Sequence, residues 1–433
     1  MEHVVTIKKI ITGGKGLGHL TDGMVVMVSG VLPGETVMVR ETKACRGHRE
    51  ASLLRVLEDA PERVTPPCTY YGRCGGCDLQ HAAYPLQLQS KQQILAEALG
   101  RAHVALPPTQ PAVPLPAPQP FGYRHRLRLH LDHNGQVGFH QRASNQVVTI
   151  HCCLLAHEQL NQVIARLVKS DWPQQLQPHV QALELLLCPT SGQTIVVLEP
   201  RRRRSSAPLH IPADLTSSLA DQVIVAGQPS GRGQHKAGTA AQLAQSFTNP
   251  RGAYQLTWDH RCFFQVNIAQ TTRLVHQVLA LLAPRNTPWT ALDLFCGMGT
   301  FSIPLGLAGA RLTGVEHNRH SILWAERNSR TAGLQGTRFI AADVGSQLTT
   351  MAARRETFSC IVLDPPRQGL GRAAALLPQL KPEQIIYISC DPATLARDLR
   401  LMCAGGYRVQ RVIPVDMFPQ THHIESVTLL ERN

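Results

Sequence analysis

The sequence predicts an α/β protein in three parts: a small N-terminal β-barrel, a central α+β part that carries a cysteine cluster, and a C-terminal doubly wound sheet. Residues 4–57 hold short β-type runs separated by glycine-rich turns, which is typical of a barrel. From residue 256 onward, apolar strands alternate with helical stretches, the pattern of a sheet covered by helices. We therefore place the three parts at residues 1–60, 61–255 and 256–433.

The barrel is expected from three short runs of strand-forming residues, Val4–Ile7, Val25–Val28 and Thr36–Val39. A glycine-rich stretch, Gly13–Gly18, is predicted to be a turn. A further break lies at residues 107–120, where seven prolines exclude a helix or a central strand. That stretch is predicted to be a linker or an extended surface segment.

The chain of 433 residues has a formal net charge of +13, which implies an anionic partner. The basic excess is spread over both larger parts, so it favours a broad nucleic-acid contact over a single basic tail. No apolar run approaches the roughly 20 residues that a membrane-spanning helix needs, and the chain opens with no signal peptide. Twelve cysteines in a chain of this size favour reduced thiols or metal ligands, so we expect a cytoplasmic protein.

Three cysteines, Cys68, Cys74 and Cys77, lie close together and are surrounded by glycines. Glycine lets backbone N–H groups approach sulfur, and three close thiolates need a fourth ligand to complete a tetrahedral site or a four-iron cluster. The candidates for that ligand are Cys152 and Cys153. The ligand set alone does not separate an iron–sulfur cluster from zinc.

A cofactor site is predicted where the apolar run Ala291–Leu294 enters a glycine-rich turn that ends at Thr300. Such a turn before a helix lets the backbone approach a cofactor closely. About 20 residues later a strand ends in Glu316, an acid suited to bind both hydroxyls of a ribose. Asp343 is predicted to end the next strand and to face an adenine amino group. The ordered set looks like a class I methyltransferase fold that binds S-adenosylmethionine.

A further strand, Ile361–Leu363, ends in the segment Asp364–Pro366. Enzymes that methylate exocyclic amines carry a similar Asp-Pro-Pro followed by an aromatic residue, whereas Arg367 follows here. This departure counts against N-methylation. It leaves a thiol, Cys390, as the reactive group.

Cys390 comes directly after a strand that includes the apolar run Gln384–Ile388, and the carboxyl ends of strands are where chemistry is located in an open α/β sheet. A buried structural cysteine is the alternative for this segment. Glu425, before the strand Val427–Leu430, is an N-cap or a solvated acid when taken alone, and a candidate general base beside Cys390. The pair suits methylation at carbon 5 of uracil, because a thiolate must first add to carbon 6 and a base must later remove the carbon 5 proton.

Five motifs in order resemble those of the RNA uracil-5-methyltransferase family, and within it of the bacterial 23S ribosomal RNA enzymes with a TRAM domain and an iron–sulfur cluster. The motifs are Phe264–Asn267, Asp293–Gly297, Asp364–Arg367, Ser389–Pro392 and His423–Glu425. The resemblance covers nearly the full length. It implies a class I, Rossmann-like methyltransferase domain, a central domain that bears an iron–sulfur cluster, and an N-terminal TRAM barrel of the oligonucleotide-binding type.

The same resemblance implies roles for individual residues, with Cys390 as the nucleophile and Glu425 as the base. The residues implied to surround S-adenosylmethionine are Gln265, Phe295, Thr300, Glu316, Asp343 and Asp364. Thr300 and Asp343 stand where the family often has asparagine, and both are polar. In the family a Cys-Pro pair follows a strand near residue 152, which makes Cys152 the fourth ligand of a [4Fe–4S] cluster and Cys153 the replacement of the proline.

The implied activity is methylation of carbon 5 of one uridine in 23S ribosomal RNA, through a covalent bond from Cys390 to carbon 6. We expect a monomer that binds RNA and no membrane. Another ribosomal site or a transfer RNA is the alternative target, although transfer RNA enzymes of this family usually lack the barrel and the cluster. A non-catalytic RNA-binding or assembly protein and an N-methyltransferase are the alternatives of other classes.

Overall fold

The structure is a computed structural model that describes residues 1–201, 215, 218–227, 241–249, 252–283 and 289–433. Among these residues it contains a closed barrel and three further sheets. No helix of this described part is both long and apolar enough to cross a membrane.

The N-terminal barrel consists of five strands, which pair in the closed order β1-β2-β3-β5-β4. They are β1 (Glu2–Ile11), β2 (Lys15–His19), β3 (Val25–Ser29), β4 (Thr36–Cys45) and β5 (His48–Glu58). Their inward side chains, including Val5, Val26 and Val37, form a separate apolar core. The predicted barrel is therefore confirmed.

One expectation for the barrel is wrong, because the glycine-rich stretch is only partly a turn and Gly16 and Gly18 lie inside strand β2. A Cβ on Gly16 would stand 2.4 Å from Val31 Cγ2, and one on Gly18 would stand 2.4 Å from Val5 Cγ1. These glycines are needed because neighbouring side chains fill the small interior, not because the chain reverses there.

Between the barrel and the next sheet lie the cysteine-bearing loop and helix α1 (Tyr84–Arg101). The proline-rich segment then runs as an extended stretch beside β19 (Tyr407–Val415). Ala112 and Leu115 donate their N–H groups to carbonyls of this strand, each at 2.8 Å. The segment is thus extended, as predicted, and pairs along the edge of the C-terminal sheet.

The central sheet has six strands in the order β11-β10-β9-β6-β7-β8. They are β6 (Arg126–Leu131), β7 (Val137–His140), β8 (Val147–Thr149), β9 (Val180–Leu187), β10 (Thr194–Pro200) and β11 (Gln222–Val225). Helix α2 (Glu158–Lys169) covers one face with a stripe of four buried residues, and the short helix α3 (Trp172–Leu176) follows it.

A two-stranded sheet of β12 (Gln242–Asn249) and β13 (Gly252–Asp259) connects the central and C-terminal sheets. The part boundary expected at residue 256 falls inside β13. Buried residues of this hairpin, such as Trp258, share one apolar cluster with Ile195 of the central sheet and Leu274 of the C-terminal part. The apolar packing is therefore continuous from the central sheet through the hairpin to the C-terminal sheet.

The C-terminal sheet has seven strands in the order β16-β15-β14-β17-β18-β20-β19. In addition to β19 they are β14 (Trp289–Leu294), β15 (Ala310–Glu316), β16 (Arg338–Ala341), β17 (Cys360–Leu363), β18 (Gln384–Ser389) and β20 (Glu425–Arg432). The first five in this order are parallel, and β20 pairs antiparallel with both β18 and β19. The order reverses between β14 and β17, where a doubly wound sheet has its ligand crevice.

Helices lie on both faces of this sheet, and each face has its own apolar cluster. The helices are α4 (Ile268–Leu281), α5 (Ser302–Leu307), α6 (Arg319–Thr331), α7 (Val344–Ala353) and α8 (Pro392–Ala404), with a 3₁₀ segment at Gly371–Leu380. The parallel strands β17 and β18 are buried along their whole length, which explains their unbroken apolar character. The predicted α/β class with a doubly wound sheet is confirmed.

Candidate active site and cysteine cavity

Three neighbouring parallel strands bring their carboxyl ends to one edge of the C-terminal sheet. In the register of β14, β17 and β18, Leu294 pairs with Leu363, and Leu363 pairs with Tyr387. The chain segments that follow these strands carry Phe295, Asp364 and Cys390. Residues separated by almost a hundred positions therefore meet at one crevice, as the sequence predicted.

Cys390 lies between the fully buried strand β18 and the first turn of helix α8. Asp391 caps that helix, and its Oδ1 accepts the N–H groups of Ala393 at 3.0 Å and Thr394 at 2.8 Å. Ser389 Oγ accepts the N–H of Asp391 at 3.2 Å, which fixes the other side of the turn. The thiol is half-buried, so it is held on a defined backbone and remains accessible.

Glu425 begins strand β20, beside the end of β18. Ser389 pairs with Ser426 in the antiparallel register, so Cys390 and Glu425 occupy the next pair of positions. Residues opposite one another in antiparallel strands have Cα atoms about 4.5–5.5 Å apart. Glu425 is 1% exposed, and its Oε1 has no hydrogen-bond partner among the described residues. An unpaired buried carboxylate beside a thiol is a candidate proton acceptor.

The ionisable groups at this edge influence one another. Burial raises the pKa of Cys390 to about 12, and the carboxylates of Glu425 and Asp364 act in the same direction. Burial raises the pKa of Glu425 well above its ordinary value and that of Asp364 to about 7. Arg367 acts in the opposite direction on both Cys390 and Glu425. Its guanidinium therefore favours the thiolate and the carboxylate at this site.

The glycine-rich turn after β14 is tightly constrained. Phe295 has a φ of +61°, an uncommon conformation for a residue with a side chain. Glu316 at the end of β15 reaches this turn, because its Oε2 accepts the N–H of Gly297 at 3.3 Å and its Oε1 accepts the N–H of Asn318 at 2.8 Å. A carboxylate beside a glycine-rich turn fits the predicted position for binding a ribose.

Asp343 lies two residues beyond the end of β16 and does not end the strand as predicted. It is the N-cap of helix α7, and its Oδ1 accepts the N–H of Ser346 at 2.8 Å and the hydroxyl of Ser346 at 2.9 Å. Thr300 is half-buried in the turn before α5, and Gln265 is half-buried just before the N-cap of α4.

Two residues that sequence reasoning did not assign to the site also lie there. Asp293 is fully buried, its Oδ2 accepts the hydroxyl of Ser302 at 2.5 Å, and its Oδ1 has no partner among the described residues. Arg367, which the sequence analysis placed in a family motif without a role of its own, lies 3.4 Å from His423 through its Nη2 and Nδ1 atoms. A charged residue inside the apolar run Ala291–Leu294 was the available signal for Asp293.

The predicted thiol ligands line one cavity, whose wall is formed by the cysteine-bearing loop and the segment after β8. Its cysteines are Cys68, Cys74, Cys77, Cys152 and Cys153. Cys74 Sγ accepts the N–H of Gly76 at 3.4 Å, so an adjacent glycine does bring a backbone N–H group to sulfur. Burial raises the pKa of Cys77 to about 12. Arg124 also lines the cavity, and its buried Nε has no partner among the described residues.

The two candidates for the fourth thiol differ in their surroundings. Cys152 is exposed and lines the cavity. Cys153 also lines it, but packs against the apolar core of the central sheet, and its backbone is held by the Asn161 side chain at 2.8 and 3.1 Å. Cys153 raises the pKa of both Cys74 and Cys77, so its thiol lies near theirs, and both cysteines are candidates for the fourth ligand.

A second group of possible metal ligands, Asp259, Cys262 and His320, lies beside the hairpin. The Oδ2 atom of Asp259 is already 2.6 Å from Arg261 Nη2 and 2.6 Å from His320 Nε2. The guanidinium supplies the positive charge that this buried carboxylate requires. This group is therefore satisfied without a metal.

Comparison with known proteins agrees with this geometry. A family model described as tRNA (uracil-5-)-methyltransferase matches residues 83–433. The 23S rRNA (uracil(1939)-C(5))-methyltransferase RlmD of Pseudomonas putida is 36% identical over 437 residues, covering 98% of this chain and 92% of that protein. An uncharacterized RNA methyltransferase of Aquifex aeolicus is 32% identical over 440 residues, with coverage of 99% and 98%.

Among solved structures, a Pyrococcus abyssi tRNA (uracil-54, C5)-methyltransferase in complex with S-adenosyl-L-homocysteine is similar over the whole chain. The TM-score is 0.75 at 24% sequence identity, and the match covers 99% of each chain. At this identity the likeness concerns the fold, and it includes the barrel, the central sheet and the C-terminal sheet.

Proposed function

The chain belongs to the tRNA (uracil-5-)-methyltransferase family, and on that premise we propose that it transfers a methyl group from S-adenosylmethionine to carbon 5 of a uridine in 23S ribosomal RNA. The observation that carries this proposal is the meeting of Cys390 and Glu425 on neighbouring strand ends. A thiol and an unpaired buried carboxylate are the two groups that this chemistry needs.

In the proposed reaction, Cys390 Sγ forms a bond to carbon 6 of the uracil, and the electron pair of the 5,6 double bond moves onto the carbonyl at carbon 4. Carbon 5 of the enolate would then attack the methyl group of bound S-adenosylmethionine, whose bond to sulfur would break and leave S-adenosylhomocysteine. Glu425 removes the proton from carbon 5, the double bond re-forms, and the carbon–sulfur bond breaks to release Cys390. Arg367 favours the thiolate before addition, because its positive charge lowers the pKa of Cys390.

S-adenosylmethionine supplies the methyl group, and the crevice beside the glycine-rich turn fits it. The unpaired Oδ1 of Asp293 and the carboxylate of Glu316 face the region of this turn, where a ligand with an amino group and ribose hydroxyls requires acceptors. We propose that six residues surround it, namely Gln265, Phe295, Thr300, Glu316, Asp343 and Asp364.

The proposal of 23S ribosomal RNA as the substrate is supported by relatives named 23S rRNA (uracil(1939)-C(5))-methyltransferase RlmD. They are 33–36% identical to this chain and include those of Pseudomonas putida and Edwardsiella ictaluri. The names of these relatives give uracil 1939 as their target, and we propose the same type of site for this chain. The solved neighbour acts on a transfer RNA, which keeps that substrate as the second candidate. The N-terminal barrel is proposed to be a TRAM domain that binds RNA, on the basis of its closed five-stranded form. The net charge of +13, whose excess lies in the two larger parts, supports contact of those parts with RNA.

We further propose that Cys68, Cys74, Cys77 and Cys152 hold a [4Fe–4S] cluster. The fit rests on the cavity that these thiols line and on the unpaired Nε of Arg124, because a cluster bound by four thiolates is anionic and a buried guanidinium offsets that charge. Methyl transfer to uracil involves no electron transfer, so the cluster is assigned a structural role.

The assignment of the two catalytic residues is tested on a denaturing gel of protein, RNA and S-adenosylmethionine. Glu425→Gln should add and methylate but fail to eliminate, so that a covalent protein–RNA complex accumulates. Cys390→Ala should give neither complex nor product. A shifted band that persists in Cys390→Ala would exclude Cys390 as the nucleophile.

The target is tested by offering purified 23S ribosomal RNA and a transfer RNA transcript side by side, followed by mass analysis of the nucleosides. We expect 5-methyluridine in the ribosomal RNA only. Product in the transfer RNA alone would favour the second substrate. A methyl group on an exocyclic amine would indicate N-methylation, and no product from either RNA would favour the non-catalytic alternative.

A further inference from the structure

The segment between β19 and β20 leads to Glu425. Its backbone has an uncommon conformation at one residue, which hydrogen bonds from other segments stabilise. Gln420 has a φ of +69°. Its carbonyl accepts the N–H groups of both Asp78 and Leu79 at 3.0 Å, and its own N–H donates to Gln87 Oε1 at 3.0 Å. A residue with a side chain keeps a left-handed conformation only where its surroundings stabilise it. Here those surroundings are the loop that follows Cys77 and the first turn of helix α1.

A second set of contacts joins the same two segments through side chains. One oxygen of the Asp78 carboxylate lies 2.5 Å from His422 Nδ1 and 3.3 Å from the N–H of His422, and the other oxygen accepts a hydrogen bond from Arg142. Burial, with the positive charges of Arg142, Lys91 and Arg367, lowers the pKa of His422 to about 4. The ring is therefore neutral near pH 7, and its Nδ1–H donates to Asp78.

The pocket around Asp78 has no spare room. A Cβ on Gly14, in the β1–β2 turn of the barrel, would stand 2.7 Å from Asp78 Cβ and 3.4 Å from His422 Cβ. Asp78 itself is only 8% exposed. A close fit of this kind fixes the position of the carboxylate, and with it the position of the His422 ring.

We propose that Asp78 is a positioning residue that holds the segment from Gln420 to Glu425 and thereby sets the geometry of the proton acceptor. The proposal rests on the function proposed above for Glu425. Asp78 directly follows Cys77, so one residue joins the cysteine loop to the base-bearing segment. The cluster would then support catalysis by ordering this loop, without taking part in methyl transfer.

The test uses Asp78→Asn in the full-length, iron-loaded protein. This change keeps the size of the side chain and the backbone bonds to Gln420, but replaces one acceptor oxygen by a donor. We expect unchanged iron content and unchanged S-adenosylmethionine affinity. Elimination should slow by about 10- to 100-fold, the effect of a misplacement of about 1 Å, so the covalent RNA complex should accumulate while the KM for RNA changes little.

A control and a second variant separate positioning from general damage. Asp221→Asn changes an aspartate of the central sheet that accepts hydrogen bonds from Thr194, and it should leave elimination unchanged. If Asp78 acts through His422, adding His422→Ala to Asp78→Asn should slow elimination no further than the slower single variant does.

Hydrogen exchange supplies a readout that does not depend on activity. Amides of residues 418–424 should exchange faster in Asp78→Asn than in the wild type or in Asp221→Asn. Unchanged exchange there, unchanged elimination, or loss of iron from Asp78→Asn would each overturn the proposal. A wild-type protein that makes no 5-methyluridine would instead contradict the proposed function, and the exchange result would still decide the role of Asp78.

Discussion

The burial of Asp293 destabilises the ionised form of its side chain. Burial raises its pKa to about 7, so the folded protein favours the protonated carboxyl more than the unfolded chain does. The resulting contribution to stability is fully present below about pH 4, the ordinary range of an aspartate, and is lost as the pH rises through about 7.

We therefore predict that Asp293→Asn raises the thermal midpoint of the ligand-free protein more at pH 8 than at pH 5. The amide keeps the size of the side chain but has no charge to bury at high pH. Scanning calorimetry of both proteins at the two pH values checks this. An equal shift at both values would show that the carboxyl is not protonated in the folded protein near neutral pH.

Glu316 is the residue on which the proposed cofactor crevice depends most directly. Glu316→Ala should weaken S-adenosylmethionine binding by about 1–3 kcal/mol, the usual cost of losing a hydrogen bond to a charged group. Titration calorimetry measures this, with Glu326→Ala on helix α6 as a control for the same change in charge. Unchanged affinity in Glu316→Ala would remove this residue from the site.

At the scale of single elements, the start of helix α8 determines how Cys390 is presented. Asp391 satisfies two N–H groups of the first turn, so Asp391→Ala should lower the free energy of unfolding by about 1 kcal/mol. Asp391→Asn retains a capping oxygen, so it should keep most of the free energy of unfolding that Asp391→Ala loses. Denaturant unfolding of the three proteins checks the stability. A full loss in Asp391→Asn would mean that the negative charge, and not the cap, is what stabilises the turn.

Elements were predictable where the sequence pattern is local. The strand before Cys390 has a continuous apolar run, and the strand that ends in Glu316 has alternating apolar residues before its acid; the structure contains both. Strand β2 was not predictable, because its two glycines have a turn-like composition and are required only by side chains packed from elsewhere. The cap formed by Asp343 was likewise hidden, since acidic residues follow strands and precede helices alike.

The candidate site could likewise be predicted only in part, because some of its contacts join residues that are far apart in the chain. The order of the motifs predicted that Cys390, Glu425 and Asp364 would meet, because strand ends of a doubly wound sheet share one edge. The contact of Asp78 with His422 spans 344 positions and belongs to no repeating pattern, so it could not be predicted from the sequence. The sequence contains Arg367 next to a motif, but the effect of its charge on the pKa of Cys390 and Glu425 depends on distances that only the fold determines.

At the scale of the whole molecule, we predict that Cys152 and Cys153, which are adjacent in the cysteine cavity, differ in their effect on iron content. Anaerobically purified protein should hold about four irons per chain. Cys152→Ala should lose most of this iron, whereas Cys153→Ala should retain it and be only less stable, because Cys153 packs on the core of the central sheet. Iron analysis and the visible absorption spectrum check both variants. The reverse pattern would make Cys153 the ligand, and stoichiometric zinc in the wild type would exclude the cluster.

The crowding of Gly14, Asp78 and His422 has a consequence for how the molecule melts. Three stretches from the barrel, the cysteine loop and the C-terminal sheet fill one small volume, so none can loosen without disturbing the other two. The iron-loaded protein should therefore give one endotherm. Gly14→Ala should split it, because the added methyl group meets Asp78, whereas Gly13→Ala has a similar positive φ but open space around it and should keep a single peak.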